Sequence, residues 1–160
     1  MKGYEVKRIK NLMDESIHPL VDESQKAGFR FIQKLVNDYK DGSNTFNKPG
    51  EALYGVYDQD GMLIAVGGIN INPFSDDARI GRVRRFYVAK DYRRKGIGKL
   101  LLETLISKAM NHFQIMVLNS TPQADAFYTS FGFIKSDKYP NSTHLMDLKE
   151  YDVHHNEAKL

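Results

Sequence analysis

The sequence predicts a mixed α/β fold, and three observations carry the prediction. Two apolar runs, Leu53 to Tyr57 and Met62 to Ile71, flank Asp58-Gln59-Asp60-Gly61, whose Asp-Gly pair is a strong hairpin signal. Ala27, Phe31, Leu35 and Tyr39 recur at four-residue steps, with Ile32 and Val36 widening the stripe, which is a helical period. The apolar strand Phe86-Tyr87-Val88 runs through a polar, basic turn, Arg93-Arg94-Lys95-Gly96-Ile97-Gly98-Lys99, into the helical run Leu100-Leu101-Leu102. At 160 residues and 41% hydrophobic content, the chain is most simply one domain over residues 1–150, followed by a polar tail at 151–160.

Along the chain, Glu5 to Lys10 reads as a strand, and Asp14 to Glu23 as a helix or loop that His18-Pro19 interrupts. A better helix starts at Ser24 and runs until Asp41-Gly42 stops it. The loop Gly42 to Glu51 carries one large apolar residue, Phe46, which either pins the loop down or lines a substrate pocket. After the hairpin, Asn72 to Asp77 turns the chain into a third strand from Arg79 to Val88, so three consecutive antiparallel strands are implied. The helix Ile97 to His112 and the strand Gln114 to Leu118 follow. Thr121-Pro122 opens another helix, with Thr at the N-cap and Pro at the first helical position, and Gly132 ends it. Phe133 to Lys135 and Thr143 to Leu148 are the last strands.

With no cysteine, structural disulfides, thiolate metal sites and cysteine nucleophiles are excluded. The N-terminus Met1-Lys2-Gly3-Tyr4-Glu5 has no apolar signal core, and no apolar stretch approaches the roughly 20 residues of a membrane span. A cytoplasmic protein is the expectation. The net charge is +3, but the cations concentrate at Arg82 to Arg85 and Arg93 to Lys99, which points to a local anion site more than to a general polyanion binder. No His, Asp or Glu spacing supports a metal site; His112 reads as a helix end and His154-His155 as tail.

The basic turn is the most informative segment. The first N–H groups of a helix have no intrahelical acceptor and lie at the positive end of the helix dipole, so they receive an anion where no side chain obstructs it. Gly96 and Gly98 remove the obstruction, and Arg93, Arg94, Lys95 and Lys99 add cations, an arrangement suited to a pyrophosphate. On composition alone an ordinary turn glycine beside a solvated cationic face stays open as the alternative. The P-loop pattern is absent, and Leu101 stands where a dinucleotide fingerprint needs its third glycine.

A second constellation is Ala124-x-x-x-Tyr128-x-x-x-Gly132-Phe133. Phe127, Phe131 and Phe133 read as core, whereas a tyrosine hydroxyl beside an anion site can protonate a leaving thiolate. Arg93-x-x-Gly96-x-Gly98 and this downstream pattern, in this order and about 30 residues apart, resemble the GNAT superfamily of acyl-CoA-dependent N-acetyltransferases. The likeness covers about Arg79 to Leu148. It implies a mostly antiparallel sheet of six to seven strands flanked by about four helices and splayed between two central parallel strands. It also implies acetyl-CoA as donor, with the backbone of Phe86, Tyr87 and Val88 holding the pantetheine arm, the turn Arg93, Arg94, Lys95, Gly96, Ile97, Gly98 and Lys99 holding the pyrophosphate, and Asn119 beside the cofactor. Tyr128 is then the general acid, in a direct attack of a neutral amine on a thioester polarised by N–H groups near Val88.

Where several family members place a glutamate base, this chain has Arg84, which cannot be a base. Arg84 reads either as a structural ion-pair partner or as a clamp for a substrate carboxylate, with Arg82 as helper on the same strand face. His144 either faces the acceptor site or is plain surface, and Glu51, Asp76 and Asp77 are weak base candidates; a water relay needs no dedicated base. The expected partner is a small-molecule amine, with neither membrane nor metal involved, and a homodimer is allowed. A nucleic-acid-binding module explains the charge but leaves the glycines and the tyrosine pattern without a role. An acyl-CoA sensor without turnover is the other alternative, and Tyr128 argues against it.

Overall fold

The computed structural model describes residues 3–152. Strand β1 (Glu5–Arg8) leads through a 3-10 turn at Leu12–Asp14 into helices α1 (His18–Lys26) and α2 (Phe31–Asp41). Strands β2 (Ala52–Tyr57), β3 (Leu63–Ile71) and β4 (Ile80–Val88) follow, then helix α3 (Ile97–Ala109) and strand β5 (Ile115–Leu118). Helix α4 (Asp125–Phe131) and strands β6 (Ile134–Lys135) and β7 (His144–Asp147) come next, and residues 148–152 enter a helical turn.

The strands form one seven-stranded sheet in the order β1-β2-β3-β4-β5-β7-β6. Every neighbouring pair is antiparallel except β4 and β5, which run parallel. The mixed, mostly antiparallel fold expected from the sequence is therefore the one adopted. Two cores cover the two faces. On one, Ile97, Leu101, Leu102, Leu105, Ile106 and Ala109 of α3 pack on Val83, Met116 and Leu118. On the other, Leu20, Val21, Ile32, Leu35 and Val36 of α1 and α2 pack on Leu53, Val66 and Tyr87. Each such fully buried aliphatic side chain contributes about 2 kcal/mol of transfer free energy, so α3 and the α1–α2 pair are fastened independently to opposite faces.

Several helix boundaries differ from expectation: α3 ends at Ala109 rather than His112, and Thr121-Pro122 opens a 3-10 turn at Pro122–Ala124, with no side-chain cap from Thr121, before α4 begins at Asp125. Pro19 does not interrupt a helix but starts α1, because a first-turn proline gives up an N–H that has no partner anyway. The helix expected from Ser24 is two helices. Gly28 takes φ +89°, and the N–H groups of Phe29 and Gly28 turn back to the carbonyls of Ser24 and Gln25 at 2.9 and 3.0 Å, a Schellman ending. Ala27 consequently lies exposed at the end of α1, outside the buried stripe of α2.

Two irregularities of β4 build the site. Its pairing with β5 covers only Ile80 to Arg82 opposite Ile115 to Val117, and β4 then runs on to Val88 with no strand beside it on that edge. Against β3 the register slips between Val66↔Tyr87 and Gly68↔Arg84, so Arg85 and Phe86 together oppose Gly67, with Arg85 at φ +58°. This is a β-bulge, and it bends the strand at the mouth of the gap.

Candidate functional site

The turn between β4 and α3 has the anion-binding form. Gly96 caps α3 at φ +81° and Arg94 precedes it at φ +61°, left-handed positions that aim successive N–H groups the same way. The first bond of α3 runs from Leu100 N–H to Gly96 C=O at 3.0 Å, leaving the N–H groups of Ile97, Gly98 and Lys99 without a backbone acceptor among the described residues. These free donors and the left-handed cap fit a pyrophosphate. Arg93 folds back onto the strand: its Nε donates to Val88 C=O at 3.0 Å and its guanidinium lies 5.3 Å from the Tyr87 ring centre. It therefore braces the turn as well as charging it. Glu23 of α1 adds a second brace, accepting from the Tyr87 hydroxyl and from Lys90 N–H at 3.0 Å. Lys95 lies 5.5 Å from the Tyr92 ring centre. Gly98 has a packing role beside any ligand role, because a Cβ there meets the Phe127 ring at 3.3 Å.

Tyr128 lies over the end of β5. Its ring contacts Phe86 of β4 at 6.1 Å, His144 of β7 at 6.1 Å, Phe127 at 5.1 Å and Phe133 at 5.9 Å, so it bridges the strands on either side of the one that stops. The side chain is only 8% exposed, yet its hydroxyl has no hydrogen-bond partner among the described residues. Burial pushes the phenol well above its ordinary value, so it stays protonated at neutral pH. The ring is rigidly packed and its neutral hydroxyl keeps a proton that no described residue engages. Asn119, the first residue past β5, is exposed beside the same gap.

The other face of β4 carries the arginines. Arg82 is 3% exposed; it donates to Asn72 Oδ1 at 3.0 Å and to the carbonyls of Asn141 and Pro140 at 2.7 and 3.2 Å, and stacks 4.7 Å from the Phe74 ring centre. Burial and then the charge of Arg84 push its guanidinium down to about 10, leaving it charged at neutral pH. Its donors are spent tying two loops together. Arg85 pairs with Asp38 of α2 at 3.5 Å. Arg84, half-buried beside them, makes no hydrogen bond or ion pair among the described residues; burial lowers its pKa while Asp38 and Glu51 oppose the shift.

Phe46 is buried at φ +55° against Gly68, which pins its loop rather than opening a pocket wall. Glu51 fastens the same loop. One carboxylate oxygen accepts from Asn70 Nδ2 and Ile71 N–H, both at 2.9 Å, and the other from Lys48 N–H at 3.1 Å. Asp77 is held by Arg79 at 2.9 Å, and Asp76 is exposed. His144 is neither surface nor free: it is 1% exposed, with Nε2 2.7 Å from Asp125 Oδ1 and Nδ1 2.7 Å from Thr143 Oγ1. His112, just past the end of α3, meets the Phe113 ring edge-on, while His154 and His155 lie outside the described residues. The beginning of the expected tail is packed, with Tyr151 stacked on Phe131 at 5.8 Å. Sequence reasoning passed over Asp38, Glu23 and Asp125. Only Asp125 had a signal, as an acidic residue three before Tyr128 at a helix start.

Among the described residues no helix is long and apolar enough to cross a membrane. The chain is 38% identical over 78 residues to an uncharacterized N-acetyltransferase from Dictyostelium discoideum, a match covering 44% of this chain and 36% of that protein, so it spans about a third of the curated relative's length. The fold superposes with TM-score 0.86 and 28% identity on the crystal structure of a protein assigned as an acetyltransferase from Exiguobacterium sp. 255-15, covering 94% of this chain and 97% of that one. AtaTR bound with AcCoA shares the fold at TM-score 0.73 and 13% identity over 97% and 99% of the two chains. Spermidine N-acetyltransferase SpeG from Vibrio cholerae shares it at TM-score 0.67 and 12% identity over 94% and 97%. Residues 49–135, which contain the bulge, the basic turn and Tyr128, match the acetyltransferase (GNAT) domain. With more than half its length inside that match and the splayed sheet around it, the chain belongs to the GNAT acetyltransferase family.

Proposed function

We propose that the protein moves the acetyl group of acetyl-CoA to the primary amine of a small acceptor bearing a carboxylate. The observation that carries the reaction is Tyr128, a buried, protonated phenol whose hydroxyl is unengaged and whose ring lies over the end of β5. Acetyl-CoA supplies the acetyl thioester. The N–H groups of Ile97, Gly98 and Lys99, with the surrounding cations, hold its pyrophosphate, and the unpaired edge of β4 from Val83 to Val88 takes the pantetheine arm beside Asn119. The amine nitrogen bonds to the carbonyl carbon, the carbon–sulfur bond breaks, and the Tyr128 hydroxyl gives its proton to the departing sulfur. The nitrogen sheds a proton to water, and Tyr128 is reprotonated from solvent. Backbone N–H groups around the bulge polarise the carbonyl.

Arg84 narrows the acceptor. Arg82 and Arg85 have partners, so Arg84 is the arginine left over on this face, and a free guanidinium receives a carboxylate in two parallel hydrogen bonds while repelling a simple polyamine. Spermidine is the substrate named for SpeG, whose 12% identity extends to the fold alone. CoA release from acetyl-CoA, followed over amines, amino acids, polyamines and lysine peptides, tests the reading. Turnover with small zwitterions ahead of polyamines is the expected result. Binding of acetyl-CoA without turnover on any acceptor supports a sensor instead, and a rise in Tm with an oligonucleotide but not with acetyl-CoA supports a nucleic-acid module.

A further inference from the structure

α4 is a single short helix, and its N-cap, Ala124, has no side chain able to hold it. Short helices are marginal alone and depend on tertiary anchors. The aromatic rings of Phe127, Tyr128 and Phe131 provide the apolar anchor, and the polar anchor at the first turn is Asp125, the first residue of α4, bound to the buried imidazole of His144 at 2.7 Å. His144 is in turn held through Nδ1 by Thr143 Oγ1 at 2.7 Å, and that oxygen accepts the N–H of Ser120 at 2.8 Å. Thr143 N–H donates to Leu118 C=O, the last residue of β5, at 2.9 Å. The chain Asp125, His144, Thr143, Ser120 thus links the start of α4 to the segment leaving β5. One tautomer satisfies it throughout: Nε2–H donates to Asp125, and Nδ1 accepts from the Thr143 hydroxyl.

Tyr128 is three residues into α4, one turn from Asp125 and on the same side of the helix, and its ring lies 6.1 Å from that of His144. We propose that the Asp125–His144 pair is a positioning device for Tyr128, latching α4 to the sheet so that the hydroxyl meets the leaving sulfur. Proton donors lose effect over displacements of about 1 Å, and with no capping side chain at its start, α4 is held at its first turn by this polar contact, so its loss lets the Tyr128 hydroxyl shift even while the ring stays packed. Lys135, 3.2 Å from the other Asp125 oxygen, is 70% exposed and holds the carboxylate only from the solvent side.

This inference rests on the acid role of Tyr128, and the test separates the two. Acetyl transfer is measured under chemistry-limited conditions in Asp125→Ala, Asp125→Asn and Lys135→Ala, with Asp125→Ala repeated in a Tyr128→Phe background, and acetyl-CoA affinity is followed by calorimetry. Circular dichroism checks that the Asp125 variants fold, and in Asp125→Asn an asparagine oxygen still accepts from Nε2–H of the buried His144. The expected result is a kcat about tenfold lower for Asp125→Ala, acetyl-CoA affinity within about twofold, recovery of most of kcat in Asp125→Asn, and little change in Lys135→Ala. In the Tyr128→Phe background Asp125→Ala has no further effect, because the hydroxyl it positions is gone. Equal losses in both backgrounds, or no loss in either, overturn the latch. An unchanged kcat in Tyr128→Phe alone removes the acid, and the latch with it.

Discussion

Arg84 and Arg85 are consecutive in β4, yet both reach toward Asp38 on the same face of the sheet, and only Arg85 is paired with it, at 3.5 Å. The bulge is the cause. Alternation sends neighbouring side chains to opposite faces, and the extra residue, at φ +58°, breaks that alternation once. Val83 and Phe86 remain with the α3 core while Tyr87 joins the α1–α2 core. Asp38 is then occupied by Arg85, and Arg84 keeps no ion-pair partner among the described residues.

A free guanidinium in that position predicts how acceptors are chosen. A charge-assisted hydrogen bond contributes about 1.5–3 kcal/mol, so Arg84→Gln raises KM for a carboxylated acceptor by roughly 10- to 100-fold. The amide of the same acceptor, which never used the full charge, changes by no more than about threefold. Steady-state kinetics on the acid and amide pair reads the difference. Equal effects on both, or polyamines as the best acceptors, make Arg84 structural.

Tyr128→Phe keeps the ring among Phe86, Phe127, Phe133 and His144 and deletes only the hydroxyl. Loss of a general acid costs roughly 10²-fold in kcat, while acetyl-CoA affinity stays within about twofold. Single-turnover rates beside calorimetry separate the two effects. An unchanged chemical step assigns the ring to packing.

The features legible in the sequence were those that local chemistry determines. Asp60-Gly61 marked the hairpin, Gly96-Ile97-Gly98 with its cations marked the helix start, and Tyr128-x-x-x-Gly132 marked the helix that carries the phenol. What escaped depends on tertiary docking. His144 looks like an isolated polar residue in Asn-Ser-Thr-His until α4 brings Asp125 to 2.7 Å from its ring. Arg82 looks available until the loops at Asn72 and Asn141 close on it. Neither the bulge that turns Arg84 and Arg85 to one side nor the partner Asp38, far away in sequence, leaves a local pattern. The break at Gly28 was missed for another reason: Ala27 and Phe31 keep the helical spacing across a turn that is not helical.

The buried phenol also sets an alkaline limit on stability. Its pKa is raised by burial in the native state and is near its ordinary value of about 10 in the unfolded chain. Below that value both states hold the proton and the group adds no pH dependence. Above it the unfolded chain ionises first, the native state binds more protons, and stability falls by up to about 1.4 kcal/mol per pH unit until the native phenol ionises too. Urea unfolding at pH 9 and pH 11 therefore shows a larger drop for the wild type than for Tyr128→Phe. Tyr57 and Tyr87, also raised by burial first and then by Glu15 and Glu23, leave part of the drop in the variant. Parallel losses in the two proteins place the Tyr128 hydroxyl in solvent.

If the turn at Gly96 holds the donor pyrophosphate as proposed, a single change at Gly96 tests it. This glycine holds φ +81° at the start of α3, beside the free N–H groups of Ile97, Gly98 and Lys99. Aspartate tolerates the left-handed region better than most residues, so Gly96→Asp folds, at a cost of about 1 kcal/mol. Its carboxylate then stands at the proposed pyrophosphate position and would repel a bound pyrophosphate within a few ångströms, at a distance too short for salt to screen fully. Calorimetry is expected to show acetyl-CoA affinity at least tenfold weaker, whereas Gly96→Asn, nearly isosteric and uncharged, loses less. The difference between the two variants isolates the charge from the backbone. If Asp and Asn weaken binding equally, the turn acts through shape alone, and if neither weakens it the pyrophosphate binds elsewhere.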